Sequence, residues 1–331
     1  MRRFVMKRNS FVCMAFVSFA FVIVDRSSAV DARARARLVA LEPCARASEL
    51  VVFWHGMGDF GDDPRGMKVL ANEIANVTHE ETCVKTLVFG TSAEEDRRAG
   101  YVASVNAQVE DACEVIARDF DVRRMNGTYH AYGFSQGGQF MRAVVERCRG
   151  ARAKTLTTFG AQHMGVDSIP GCGHDATSTM CRWMNRAASA ASANAWVQNH
   201  VVQAQYFRDT STAASYERYL ASNVFLPEIN NEGQANENTN YRDAIASLEK
   251  FVCVMFENDD MVSPKESSWF GSRMIGNRTI VPYERNEEIY ASLGLDALDA
   301  DGRLEFVLVP NARHLEFSLD WFREFVKKNL A

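Results

Sequence analysis

The chain has 331 residues, 47% hydrophobic and 24% charged, with a formal charge of −5 at neutral pH. That is enough apolar material for one large α/β domain, and it excludes a collagen-like, coiled-coil or disordered chain. The acidic balance, with no basic cluster in the body of the chain, leaves no nucleic-acid footprint, so no nucleic-acid partner is expected.

Residues 1–29 read as a secretory signal peptide. Arg2, Arg3, Lys7 and Arg8 make a basic start, a weakly polar to apolar run from Phe11 to Val24 follows, and Ser27-Ser28-Ala29 offers a cleavage site. The run falls short of the roughly 20 residues that a membrane-spanning helix needs. No other stretch looks transmembrane, so no membrane span is expected after cleavage. Residues 30–331 then form a single domain, beginning with an Arg/Ala-rich stretch, Ala32–Arg37, expected to be a flexible terminus.

Leu50–Trp54 is a continuous apolar run, as in a buried parallel strand, and it ends in His55-Gly56-Met57-Gly58-Asp59. Met67, Leu70, Ile74 and Val77 recur at helical spacing and predict a helix over 67–77. Cys83–Phe89 is a second strand. Tyr101–Phe120 is a long helix with Val105, Val109, Cys113 and Ile116 on one face. A third strand, Thr128–Tyr132, enters Gly133-Phe134-Ser135-Gln136-Gly137 and leaves as a helix over 138–148. Strands over 155–159, 251–256 and 304–309 follow, and a last helix over 318–328 carries Leu319, Trp321, Phe322 and Phe325. This alternation predicts an α/β fold with a mostly parallel sheet and helices on both faces.

Between about Val166 and Leu248 the alternation stops. No strand is evident there, but helical stretches carry Trp183, Trp196, Tyr206, Phe207, Tyr219 and Phe225, and Asn230–Asn240 must be a loop. Residues 166–248 are read as a helical cap insertion over the sheet's carboxyl edge, where open α/β sheets bind ligands. Helices that merely cover the sheet fit the pattern equally well.

The chemistry centres on Ser135. Its Gly-x-Ser-x-Gly follows an apolar strand and opens a helix, a turn that lifts the serine hydroxyl above the sheet. A serine needs a base and an orienting carboxylate, and in this strand order acid and then base follow the nucleophile. Asp259 and Asp260 follow the fifth predicted strand, and of the seven histidines only His314 lies beyond them. His314 is therefore the expected base, with either aspartate as its partner. Two backbone N–H groups must hold the developing negative charge. Gln136, directly after the nucleophile, supplies one. Gly56 and Gly58 let the loop between them approach closely, which makes Met57 the second donor and gives His55 a structural role. No His-x-x-x-His or Cys-x-x-Cys pattern occurs, so neither a metal nor a cofactor is expected.

Seven cysteines lie beyond the signal segment, so one thiol is left over if the rest pair, and Cys253, in a continuous apolar run, is the expected free one. Asn76-Val77-Thr78, Asn126-Gly127-Thr128 and Asn277-Arg278-Thr279 are glycosylation sequons, so Asn76, Asn126 and Asn277 are candidate glycan sites. On residues alone, a broad lipase or esterase stays open. A catalytically silent lipid-binding fold also stays open, although the intact serine, acid and base argue against it.

Longer motifs narrow the reading. Phe53-Trp54-His55-Gly56-Met57-Gly58-Asp59, Gly133-Phe134-Ser135-Gln136-Gly137-Gly138-Gln139-Phe140, Gly160-Ala161-Gln162-His163-Met164-Gly165-Val166, Val202-Gln203-Ala204-Gln205-Tyr206, Phe225-Leu226-Pro227-Glu228-Ile229-Asn230 and Trp269-Phe270-Gly271 together resemble the palmitoyl-protein thioesterase family, in particular its lysosomal type 1 members. The likeness runs from about Glu49 to the end of the chain. It implies an α/β-hydrolase fold, Asp259 rather than Asp260 as the orienting acid, and disulfides Cys113–Cys148 and Cys172–Cys181. Cys44 and Cys83 are then left to pair with each other.

The resemblance also implies a substrate class, the palmitoyl thioesters of S-acylated cysteines in proteins or peptides, with acyl-CoA as a further substrate or an acyl-CoA thioesterase as the alternative reading. It implies delivery to the lysosome, although the signal and sequons fit a vacuole or secretion equally. Two departures stand out: Arg313 occupies a position before His314 where the family usually has an acid, and Asp260 removes a sequon that overlaps the family's acid.

Overall fold

The computed structural model describes residues 3–5, 35–170, 172, 179–233, 238–277, 279–282 and 287–330. The chain order opens with strands β1 (Arg3–Val5), β2 (Ala36–Ala40) and β3 (Glu49–Trp54), helix α1 (Met67–Val77) and strand β4 (Thr82–Phe89). Helices α2 (Ala93–Ala99), α3 (Val105–Arg118) and α4 (Phe120–Arg124) lead to β5 (Thr128–Phe134), α5 (Gln136–Arg147) and β6 (Arg152–Phe159). A helical stretch follows: α6 (Thr179–Ser192), α7 (Ala195–His200), a 3-10 turn at Val202–Tyr206, α8 (Ala213–Ser222), α9 (Leu226–Ile229) and α10 (Thr239–Ala246). Then come β7 (Lys250–Phe256), β8 (Ser272–Arg273), β9 (Ile280–Val281), α11 (Glu287–Ser292), α12 (Leu295–Ala300), β10 (Leu304–Val309), β11 (Glu316–Ser318) and α13 (Leu319–Asn329).

Seven of these strands form one sheet in the order β10-β7-β6-β5-β3-β4-β2, parallel throughout except for β2, which runs antiparallel to β4 at the edge. The apolar runs go two ways, as side chains on successive strand residues must. Leu50, Val52 and Trp54 join one core with Val105, Val109 and Ile116 of α3 and Phe140, Met141 and Val144 of α5. Val51 and Phe53 join the other with Leu70 and Ile74 of α1 and Phe322, Phe325 and Val326 of α13. A parallel sheet with both faces covered and the strand–serine–helix turn at its centre is the α/β-hydrolase arrangement.

Three sequence expectations change. Ala36 and Arg37 belong to an edge strand instead of a flexible terminus, and Arg37 Nε donates to Gly90 O at 2.9 Å. An edge strand needs only one neighbour, so the weak Ala-Arg-Leu-Val pattern suffices. The long helix predicted from Tyr101 starts later, at Val105, where Ser104 caps it, and Asp119 ends it by capping α4 through Asp121 N and Val122 N. Asn230 and Glu232, read as loop, are buried.

Of the predicted signal segment, Arg3–Val5 pair antiparallel with β11; the remainder, including the cleavage site, lies outside the described residues. Among the described residues no helix is long and apolar enough to cross a membrane. Disulfides join Cys44 to Cys83, Cys113 in α3 to Cys148 after α5, and Cys172 to Cys181. Cys253 is a free, buried thiol in β7, and its burial pushes it well above the usual thiol range.

Candidate active site

Ser135 sits between β5 and α5 with φ 55° and ψ −125°, a backbone region that costs a non-glycine residue on the order of 1–3 kcal/mol. Two hydrogen bonds hold it there, Ser135 N to Phe159 O and Gly138 N to Ser135 O, both 2.8 Å. Close packing does the rest. A Cβ at Gly133 would lie 2.3 Å from Gly137 O, and one at Gly137 would lie 2.4 Å from Trp54 O. The glycines are therefore needed for the approach of strand to helix, and Ser135 is partly exposed while Phe134 and Gln136 on either side are buried.

His314 Nε2 lies 2.9 Å from Ser135 Oγ, and His314 Nδ1 lies 2.6 Å from Asp259 Oδ2. The Asp259 side chain is fully buried, and its other oxygen, Oδ1, accepts from Met261 N at 2.9 Å and Val262 N at 3.0 Å. A carboxylate fixed in this way can hold the histidine proton on Nδ1 and leave Nε2 free to accept the serine proton. Asp259 follows β7 and His314 follows β10, neighbouring strands in the sheet. Their loops are tied together by Glu257 N to Val309 O, Asn258 N to Ala312 O and Asn311 N to the Glu257 carboxylate. Asp260 is exposed. Gly160, with φ +58°, passes under the imidazole, where a Cβ would lie 3.0 Å from His314 Cε1.

The loop after β3 abuts Ser135, since a Cβ at Gly56 would come within 3.2 Å of Ser135 Cβ. Gln136 opens α5, so its N–H belongs to the positive end of that helix. Its side chain donates to Gly100 O at 3.0 Å. The same carbonyl accepts from Gln203 Nε2 at 3.1 Å, and Gln203 Nε2 also contacts Met57 Sδ at 2.9 Å.

His55 is buried. Its Nδ1 lies 2.9 Å from Gly56 O and its Nε2 lies 3.2 Å from Asp96 Oδ2. Burial alone would lower its pKa, but Asp96, then Asp59, outweighs that and raises it above the ordinary value. Both ring nitrogens face oxygen acceptors, an arrangement that favours the protonated ring. Asp96 also accepts from Phe89 N at 2.7 Å and Gly61 N at 2.8 Å. Asp96→Ala should cost on the order of 3 kcal/mol in chemical denaturation, because it leaves three buried donors unpaired; a loss below 1 kcal/mol would mean that solvent replaces the carboxylate.

Residues 166–248 dock on the core through a buried polar network that sequence reading missed. Arg142 of α5 donates to Ile229 O at 2.8 Å, Asn230 Oδ1 at 2.5 Å and His163 O at 3.2 Å, and pairs with Glu146 at 3.1 Å. Asn230 passes the link to Glu232, which pairs with Arg208 at 3.0 Å and accepts from Tyr216 and Tyr219. The apolar residues of this segment divide into two groups. Tyr206, Phe207, Tyr219 and Phe225 are buried in its junction with the sheet, whereas Trp183 is 65% and Trp196 40% exposed.

The three sequon asparagines, Asn76, Asn126 and Asn277, are exposed. Asn76 and Asn126 border surface hollows beside Thr82 and Ala153, at the amino ends of β4 and β6 and so away from Ser135. Asn277 Oδ1 accepts from Thr279 N and Oγ1 at 3.0 Å. Among the described residues no group of three His, Cys, Asp or Glu side chains is placed to hold a metal ion.

Comparison with known proteins places this geometry in context. The family model described as "Palmitoyl protein thioesterase" matches residues 50–314. Palmitoyl-protein thioesterase 1 of Caenorhabditis elegans is 38% identical over 273 residues, covering 80% of this chain and 86% of that protein. The palmitoyl-protein thioesterase-dolichyl pyrophosphate phosphatase fusion 1 of Schizosaccharomyces pombe is 33% identical over 323 residues, covering 96% of this chain; the chain spans about half, 48%, of that relative's length. Among solved structures, a carboxyl esterase 2 from Tuber melanosporum aligns over 92% of this chain and 88% of its own, with 10% identity and a TM-score of 0.48.

Proposed function

The chain belongs to the palmitoyl-protein thioesterase family, and from that premise we propose that it is a serine thioesterase releasing long-chain acyl groups from S-acylated cysteines. The observation that carries the reading is the continuous contact from Ser135 Oγ through His314 to the buried Asp259, at 2.9 and 2.6 Å.

In the first step His314 takes the Ser135 proton as the oxygen attacks the thioester carbonyl. The oxyanion is held by the N–H groups of Met57 and Gln136, and the cysteine thiolate leaves with the proton from His314. In the second step water gives its proton to His314 and its oxygen to the acyl-serine carbon, freeing the fatty acid and restoring Ser135. A thiolate leaves more readily than an amine, so recognition of the acyl chain is the larger task.

Residues 166–248 act as the cap over this site, with Trp183 and Trp196 as its exposed apolar contribution. Each buried methylene is worth roughly 0.8 kcal/mol, so a long chain can dominate binding. S-palmitoylated proteins and peptides are the proposed substrates, and acyl-CoA carries the same bond. Residues 1–29 serve as a signal peptide, and the three disulfides suit the oxidising secretory route, with the lysosome as the proposed destination.

An acyl-length series of thioesters and oxyesters tests the reading. From eight to sixteen carbons, kcat/KM on thioesters should rise, by up to about fourfold per methylene. A maximum on acetyl or butyryl oxyesters would replace the proposal with a general esterase.

A further inference from the structure

The two residues proposed as oxyanion donors lie on different elements. Met57 is in the loop after β3 and Gln136 opens α5, and nothing in either element alone fixes their separation. Helix α2 spans the gap. From its middle Asp96 holds His55 and Gly61, on either side of Met57, and the next residue, Arg97, donates from Nε to Gly58 O at 3.1 Å. Just past its last turn Gly100 O accepts from the Gln136 side chain at 3.0 Å and from Gln203 at 3.1 Å. Gln203 is buried, comes from the 3-10 turn at Val202–Tyr206, and its amide touches both Gly100 O and Met57 Sδ. Three residues on, Tyr206 OH reaches Gln136 Oε1 at 3.4 Å.

We propose that Gln203 is a positioning residue for the oxyanion site: its amide bridges Met57 to the carbonyl that also holds Gln136, and so sets the spacing of the two backbone donors. The inference rests on the proposed roles of Met57 and Gln136. It also makes residues 166–248 part of the site's framework as well as its cover, because an amide from the cap is needed for the donors on the core to keep register.

Gln203→Met keeps the side chain's length and burial and removes the donor. The neighbouring Gln205 serves as the comparison. It lies in the same turn, docks it on the core through Val105 N and Ala103 O, and closes the turn on itself through Val201 O, with no hydrogen bond to Met57, Gly100 or Gln136 among the described residues. Gln203→Met should lower kcat about tenfold with KM within about twofold, short of the 10²–10³ that loss of a donor itself costs. Affinity for a trifluoromethyl ketone, which forms a tetrahedral oxyanion on Ser135, should fall by the same factor. Gln205→Met should lower Tm with kcat per site unchanged.

Rates are normalised to sites titrated with a fluorophosphonate, so misfolded protein does not count. They are measured on an activated oxyester as well as a thioester, because both pass through the same oxyanion. An unchanged kcat and ketone affinity in Gln203→Met, or equal losses in Gln203→Met and Gln205→Met, overturns the inference. Failure of the thioesterase reading would appear instead in the wild-type substrate series, with the oxyester comparison still able to decide the role of Gln203.

Discussion

Ser135→Ala should lower kcat on a palmitoyl thioester by about 10⁶-fold, the scale seen when the nucleophile of a serine protease is removed. The substitution deletes one oxygen, the atom that lies 2.9 Å from His314 Nε2. His314, Asp259 and the two N–H groups stay in place, so the residual rate should still exceed that in water by about 10³–10⁴. The fold should hold, because alanine at φ 55° bears the same backbone strain as serine and the bonds to Phe159 O and Gly138 N are made by the main chain. Thermal melting therefore serves as the control, with a change of less than about 0.5 kcal/mol expected. Turnover retained by the purified, folded variant would remove Ser135 from the mechanism.

The parts of the site that could be read from the chain are those fixed by local backbone or by order. The Ser135 turn has a local cause, since Gly133 and Gly137 are forced by contacts within five residues and with the neighbouring strand. His314 could be read because it alone follows the late acids. Asp259 and Asp260 could not be separated by position alone. What divides them is that one side chain turns inward to the imidazole and two backbone N–H groups, while the other residue is exposed.

Nothing local announces the Arg142–Asn230–Glu232–Arg208 network. Its links join residues that are 88 apart in one case and 24 in another, and a run of asparagines reads as a solvated loop until a buried guanidinium is found beside it. The apolar residues of the 166–248 segment were legible as a group but not individually. Helical spacing cannot tell Phe225, fully buried at the junction with the sheet, from Trp183, which is largely exposed. Gln203 was visible as part of a motif, and only the approach of three separate segments shows what its amide touches.

Asp259→Asn should lower kcat by about 10⁴-fold, as the corresponding change does in serine proteases, whereas Asp260→Asn should change it less than about twofold. The reason lies in which way the new amide must point. The position of Asp259 Oδ1 faces two donors, Met261 N and Val262 N, so the asparagine oxygen is held there and its NH2 group is turned toward His314 Nδ1. Two donors cannot share that contact. The imidazole then moves its proton to Nε2, where it faces Ser135 Oγ and can no longer accept from it. Stability should change little, because the oxygen that caps the loop is retained. A proton-detected NMR signal from the His314 Nδ1–H, present in the wild type and lost in Asp259→Asn, would report the tautomer directly. The reverse pattern, a mild effect at Asp259 and a severe one at Asp260, would assign the orienting role to Asp260 and break the contact at 2.6 Å as a guide to mechanism.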